Sequence, residues 1–114
     1  MSCDIKIENM NKRYGFLQGT VNQYLFYAEV MKVPVAGGID LLSMQKGQGH
    51  ITKLCIYDDE VDSGGDPFLP TMSIKRHIYV NYEGEWKVYN FTFQSLVFEL
   101  VHYLDRRCHM TIVR

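Results

Sequence analysis

The feature that most constrains this chain is a helical stripe within residues 90–108. Its apolar residues recur at intervals of three and four, which places them on one face of an α-helix. The stripe consists of Phe93, Leu96, Val97, Leu100, Val101 and Leu104. Burying such a stripe contributes on the order of 10 kcal/mol gross, comparable with the net stability of a typical domain. The remainder of the chain must therefore supply a surface on which this helix packs.

The ends of this helix are indicated by the residues around it. Thr92 is expected to cap the N-terminus, with Phe91 and Leu96 in contact across the cap. Arg107 falls back on the apolar side, so we expect the helix to end near that residue. Residues 110–113 are then expected to form a short edge strand or a packed tail.

The segments before the stripe have the pattern of strands and turns. Apolar residues alternate with polar ones, or aromatic residues cluster, in residues 5–7, 16–21, 24–33, 51–57, 74–82 and 86–91. Glu83 and Gly84 suit a hairpin turn. Residues 24–33 also fit a helix, but their aromatic density and Pro34 favour a strand. We predict an α+β fold: a mainly antiparallel sheet of about five strands with one C-terminal amphipathic helix packed on one face.

Two glycine-rich segments are expected to be loops. Residues 34–49 contain four glycines around a short apolar patch, which indicates a long loop. Residues 58–70 are acidic, as in calcium-binding loops. An EF-hand loop needs glycine at about its sixth position and glutamate at its twelfth, but counting from Asp58 these positions hold Ser63 and Leu69. The acidic segment is therefore interpreted as a solvated connection.

Composition limits the class of protein. The 114 residues suffice for a single domain spanning residues 1–114. A net charge of −1 gives no overall attraction to nucleic acid or to an anionic membrane. Residues 1–10 are too polar for a secretion signal, and no apolar run is long enough to span a bilayer. Cys3, Cys55 and Cys108 are odd in number and far apart, so we expect reduced thiols and a cytoplasmic location.

Each candidate catalytic or metal-binding group has a simpler structural interpretation. His102, Cys108 and His109 could meet at the helix end, but zinc there needs a fourth ligand from elsewhere. Cys55 falls within a strand, where a buried and unreactive thiol is usual. We therefore expect no catalytic residue, metal site or cofactor, and a small metal-binding protein or enzyme stays an alternative.

The candidate binding surface is the sheet face turned away from the helix. Strand alternation predicts that tyrosines and basic residues share it: Tyr27, Lys53, Tyr57, Lys75, His77, Tyr79, Lys87 and Tyr89. The candidate binding residues among these are Tyr27, Lys53, Tyr57, His77, Tyr79 and Tyr89. Our leading hypothesis is a non-enzymatic module that binds a protein partner or its own copy, through this face or through residues 34–49. The alternative is a single-stranded nucleic-acid binder that stacks bases on the tyrosines.

Several short motifs also occur in a characteristic order. They are Gly19-x-Val21, Tyr24-x-Phe26-x-Ala28-x-Val30, Pro34, Gly38-Ile39, Ile51-x-Lys53-Leu54-x-Ile56, and Val80-Asn81-Tyr82 with Trp86. From about Gly15 to Leu104 this order resembles a family of small uncharacterised bacterial and phage proteins. The family has an Ala-x-Val strand, a Gly-Ile segment, a Lys-Leu strand, an Asn-Tyr-Asp-x-Gly-Trp turn and a final helix.

The chain departs from that pattern in two places. Residues 41–50 have the character of an insertion, and the turn reads Tyr82-Glu83-Gly84-Glu85-Trp86. The resemblance implies a small cytoplasmic single domain from a bacterium or mobile element. It implies no catalytic residues.

Overall fold

The chain folds into one antiparallel sheet with a helix on one side. The computed structural model describes residues 4–11, 15–62 and 73–112. The strands are β1 (Ile5–Asn11), β2 (Phe16–Val21), β3 (Tyr24–Ile39), β4 (Lys46–Asp62), β5 (Ser73–Glu83) and β6 (Trp86–Tyr89). A 3₁₀ turn at Phe91–Phe93 leads into the helix α1 (Gln94–Ile112). The α+β prediction is confirmed, with six strands in place of about five.

The order of strands in the sheet follows their order in the chain. Each strand pairs antiparallel with its sequence neighbour, from β1 at one edge to β6 at the other. Short turns make this possible: Asn22 and Gly84 adopt positive φ values of 54° and 73°, a region that suits asparagine and glycine. The strand interpretation of residues 24–33 is confirmed, because they lie within β3.

The helix packs on one side of the sheet, which we call the covered face. Alternate residues of β2 to β5 point to it and are buried there: Leu17, Val21, Phe26, Ala28, Leu54, Ile56, Val80 and Tyr82. Their counterparts on α1 and the preceding turn are Phe93, Val97, Leu100, Val101 and Leu104, with Leu96 partly buried. The predicted helical stripe is therefore the helical half of the core.

The predicted helix ends were wrong. Asn90 is the capping residue in place of Thr92, because its Oδ1 accepts a hydrogen bond from the Thr92 amide at 3.0 Å. Phe91 is 78% exposed, and its ring lies 5.3 Å from that of Tyr89. The helix continues to Ile112, so residues 110–112 of the expected edge strand are helical, and Val113 lies outside the described residues. Residues 108–112 contain no proline or glycine to stop the helix.

The loop predicted for residues 34–49 is mostly strand. β3 continues through Pro34 to Ile39, and β4 begins at Lys46. Pro34 is tolerated because it lies where the β3–β4 register is interrupted, between Val30 and Val35. The glycines allow close approach of the two backbones: a Cβ atom on Gly38 would lie 2.2 Å from the carbonyl oxygen of Gly49. We call this part of the hairpin, residues 35–50, the ribbon.

Two aromatic side chains of the covered face hold the ribbon. The hydroxyl group of Tyr82 donates to the Gly37 carbonyl at 2.6 Å, and Nε1 of Trp86 donates to the Met44 carbonyl at 2.9 Å. The ribbon therefore bends over the covered face and buries Ile39 there. The glycine spacing that resembled a flexible loop permits this bend.

Candidate interaction face

The other side of the sheet is the open face. Among the residues that the structure describes, no helix or second sheet packs over it, since α1 and the ribbon both lie on the covered face. Its side chains form cross-strand rows. The first row is Phe16, Glu29, Lys53 and Glu83; the second is Gln18, Tyr27, Cys55, Asn81 and Val88; the third is Thr20, Leu25, Tyr57 and Ile78.

An aromatic ladder crosses this face from β2 to β5. The rings of Phe16 and Tyr27 lie 5.9 Å apart, and those of Tyr27 and Tyr57 are also 5.9 Å apart. The guanidinium group of Arg76 lies 4.1 Å from the centre of the Tyr57 ring, within the range of a cation–π contact. Exposed apolar side chains continue the surface, because Ile78 is 44% and Val88 41% exposed.

Three of the six candidate binding residues lie on this face. Tyr27 and Tyr57 belong to the aromatic ladder, and Lys53 is exposed in the neighbouring row. Tyr79 and Tyr89 do not join them, so the expectation of a shared face was wrong for both. Tyr79 stacks on Phe93 at 4.7 Å, and Tyr89 lies opposite Val80 and 4.9 Å from Trp86, all on the covered face.

A β-bulge explains the misplacement. Ile56 pairs with Val80 but Tyr57 pairs with Ile78, so Tyr79 is an extra residue in β5. Such an extra residue reverses the alternation of side chains along the strand. Arg76 therefore lies on the open face beside Tyr57, and its neighbour His77, opposite Asp58, points to the other side.

The lysine at position 75 also departs from the predicted face. Lys75 lies opposite Glu60, one residue from Arg76 along β5, so it points away from the open face. Lys87 lies at a second register shift and its Nζ is 2.9 Å from Glu85 Oε1. Of the cations predicted for the open face, Lys75 and His77 are therefore replaced there by Arg76.

The cations on the open face lie beside carboxylates. Arg76 makes two hydrogen bonds to Asp59, of 2.9 and 3.1 Å, which lower the pKa of that carboxyl group. Lys53 has Glu29 and Glu83 as its cross-strand neighbours. The face is consequently amphipathic but close to electrically balanced.

Tyr27 and Cys55 form the centre of the second row. Burial is the largest cause that raises the pKa of Tyr27 to about 12, and the neighbouring Cys55 side chain adds to it. Burial also raises the pKa of the Cys55 thiol, which is 1% exposed. A thiol with a raised pKa is a poor nucleophile, so this pair is suited to packing rather than to covalent chemistry. Beside it, Asn81 Oδ1 has no hydrogen-bond partner among the described residues.

The metal hypotheses have no support in the described residues. Among the side chains that the structure describes, within residues 4–11, 15–59 and 75–106, no group of three or more His, Cys, Asp or Glu could hold an ion. The acidic side chains within residues 60–70 and those of Cys108 and His109 lie outside the described part. Asp58–Asp62 of that segment belong to β4. Nor does any described helix combine the length and apolarity needed to cross a membrane.

Sequence reasoning missed Phe16, Arg76 and Ile78 as parts of the open face. The signal for Arg76 was present: it is in phase with Val80 and Tyr82, where a buried strand would not place a charge. That conflict indicates that the alternation of side chains between the two faces reverses somewhere between residues 76 and 80. It does not show at which residue the reversal occurs. Phe16 could have been found from its alternation with Gln18 and Thr20.

Comparison with known proteins gives no relative: no family model, no curated protein and no solved structure matches this chain. The resemblance to small bacterial and phage proteins therefore stays a prediction. The function has to be inferred from the geometry alone.

Proposed function

We propose that this chain is a non-enzymatic protein-interaction module that binds its partner through the open face. The observation that carries the proposal is the aromatic ladder, continued by the exposed side chains of Ile78 and Val88. Tyrosine, phenylalanine and arginine are enriched at the centres of protein interfaces because they bury large areas at a small entropic cost. A rigid sheet presents them with little ordering left for binding.

The charges favour a protein over a nucleic acid. Binding to a phosphate backbone needs cations free to replace counterions. On the open face Arg76 is held by Asp59, and Lys53 lies between Glu29 and Glu83. A base that stacked on Tyr27 or Tyr57 would bring its phosphates towards these carboxylates. The rings could stack bases, but their surroundings repel the backbone.

The thiol chemistry supports the expected location. Cys55 is a free, buried thiol in the described part of the chain. Free thiols persist in reducing compartments. We propose a cytoplasmic location, and the family resemblance implies a bacterial or phage origin.

The proposal is tested by site-specific photo-crosslinking in cells that naturally make the chain. A photoreactive phenylalanine analogue replaces Phe16 on the open face or, as the matched control, the exposed Phe91 at the start of the helix. We expect a discrete protein adduct from position 16 and much less from position 91. Equal adducts from both positions, none from position 16, or adducts removed by nuclease would overturn the proposal.

A further inference from the structure

We infer that the open face pairs with the open face of a second copy of this chain, about a two-fold axis that lies between β3 and β4. This inference rests on the proposed function of the face and names its occupant. The axis runs parallel to the strands in the space between the two sheets. The rotation leaves each cross-strand row at the same position along the strand direction, so each row faces the same row of the other copy. It places β3 of one copy over β4 of the other.

The first row is complementary to itself under this operation. Glu29 on β3 and Lys53 on β4 are direct neighbours within one copy. The two-fold axis between them sets Glu29 of each copy over Lys53 of the other, so that two intermolecular ion pairs form. An isologous interface needs this kind of self-complementarity, because every contact occurs twice. The chain's net charge of −1 adds little repulsion between copies.

The second row lies beside the axis. Cys55 is 1% exposed and the Tyr27 side chain of its own copy contacts it, so the side chains that meet near the axis are the Tyr27 rings of the two copies. The same axis sets β2 over β5, and therefore Gln18 of each copy over the row position of Asn81 in the other.

The area of the face indicates the strength of the pairing. Six strands about 4.8 Å apart, with about six residues of each of β1 to β5 and four of β6 at 3.3 Å, give roughly 540 Å² in projection. A standard interface covers about 800 Å² on each partner, and adventitious contacts cover less than about 400 Å². An area between these two values is compatible with a specific pairing that is reversible.

The test is sedimentation of the purified chain over a range of concentrations. The wild type should form a dimer and no larger species, because a two-fold interface is closed. Lys53→Glu and Glu29→Lys should each weaken the dimer tenfold or more, since each places like charges opposite one another. An equimolar mixture of the two variants should form dimers that contain one copy of each variant, because both intermolecular pairs then have opposite charges. Lys46→Glu in the ribbon, away from the open face, is the matched control and should dimerise like the wild type.

Thermal melts of each variant establish that the fold is retained. A wild type that stays monomeric up to about 1 mM overturns the inference. So does a dimer insensitive to Lys53→Glu and Glu29→Lys, or a mixture that fails to recover. In each case the proposed protein-binding function is tested separately. It is supported if position 16 crosslinks to a different protein, and contradicted if it does not.

Discussion

The two faces of this sheet are shielded from water in different ways. On the covered face, Phe26, Ile56 and Val80 are fully buried because a helix lies over them. On the open face, Tyr57 is nearly as buried, yet the described residues around it belong to its own layer. Arg76 lies flat on its ring, and Tyr27 flanks it. The covered face is shielded from water by the helix that packs on it. The open face is shielded by the aliphatic stems and the rings of its own amphipathic side chains.

The comparison teaches where stability and binding reside. Burial beneath α1 supplies folding free energy and leaves nothing free to bind. The open face keeps Ile78 and Val88 partly exposed, so part of the free energy of burying them can still be gained from a partner. Substitutions on the two faces should therefore differ in kind: the covered face controls folding, and the open face controls association.

The largest difference is expected between Leu100→Asp and Ile78→Asp. Leu100 is fully buried between helix and sheet, so aspartate there loses about 2 kcal/mol of burial and adds an unpaired buried charge. The sum approaches the net stability of a typical domain, and we expect an unfolded chain. Ile78→Asp changes a half-exposed side chain and should melt within a few degrees of the wild type. Circular dichroism melts decide: a cooperative transition of Leu100→Asp near the wild-type temperature would break the distinction.

An intermediate effect is expected from removing one tyrosine hydroxyl on each face. Tyr82→Phe leaves the Gly37 carbonyl without its donor and loosens the ribbon, which should cost about 1–2 kcal/mol. Tyr57→Phe keeps the ring beneath Arg76 and should cost less than about 0.5 kcal/mol. Urea denaturation of the two variants and the wild type measures both changes. Equal losses from the two substitutions would mean that the hydroxyl bond to the ribbon is not a distinguishing feature of the covered face.

The smallest effect is a pH dependence on the open face. The pKa of Tyr27 is raised to about 12, above its ordinary value near 10. Between these values the unfolded chain loses the proton and the folded chain keeps it. The stability that Tyr27 contributes is therefore complete below about pH 10 and is lost as the pH rises towards 12. The urea midpoint should fall less between about pH 9 and about pH 11 in Tyr27→Phe than in the wild type. An unchanged difference would mean that Tyr27 titrates normally.

The sequence was sufficient for the helical half of the core. Helical spacing from Phe93 to Leu104 identified the residues that pack on the sheet, because a helix repeats with a fixed period. Strand segments were identified for the corresponding reason. Glycine patterns misled at residues 34–49, since glycine serves flexible loops and closely packed backbones alike. Only the approach of Gly38 to Gly49 in three dimensions separates the two uses.

The open face was predictable only up to the bulge. Tyr27, Lys53 and Tyr57 precede the shifted register and were placed together, as the alternation requires. Beyond Tyr57 a single extra residue in β5 exchanged the faces, and Tyr79 moved to the core. Local sequence does not specify a bulge, because the bulge depends on how β4 pairs with its partner. The pairing of Arg76 with Asp59, which balances the charge of the face, was hidden for the same reason.

The sequential order of the strands has a consequence for synthesis on the ribosome. Each strand pairs with the one made just before it, so hairpins can form locally and within microseconds. The covering helix, however, follows all six strands in the chain. At about 5–20 residues per second, the ribosome needs several seconds between releasing the first strands and releasing Leu104. A nascent chain therefore presents its apolar side to chaperones for that whole interval, however fast the finished protein folds.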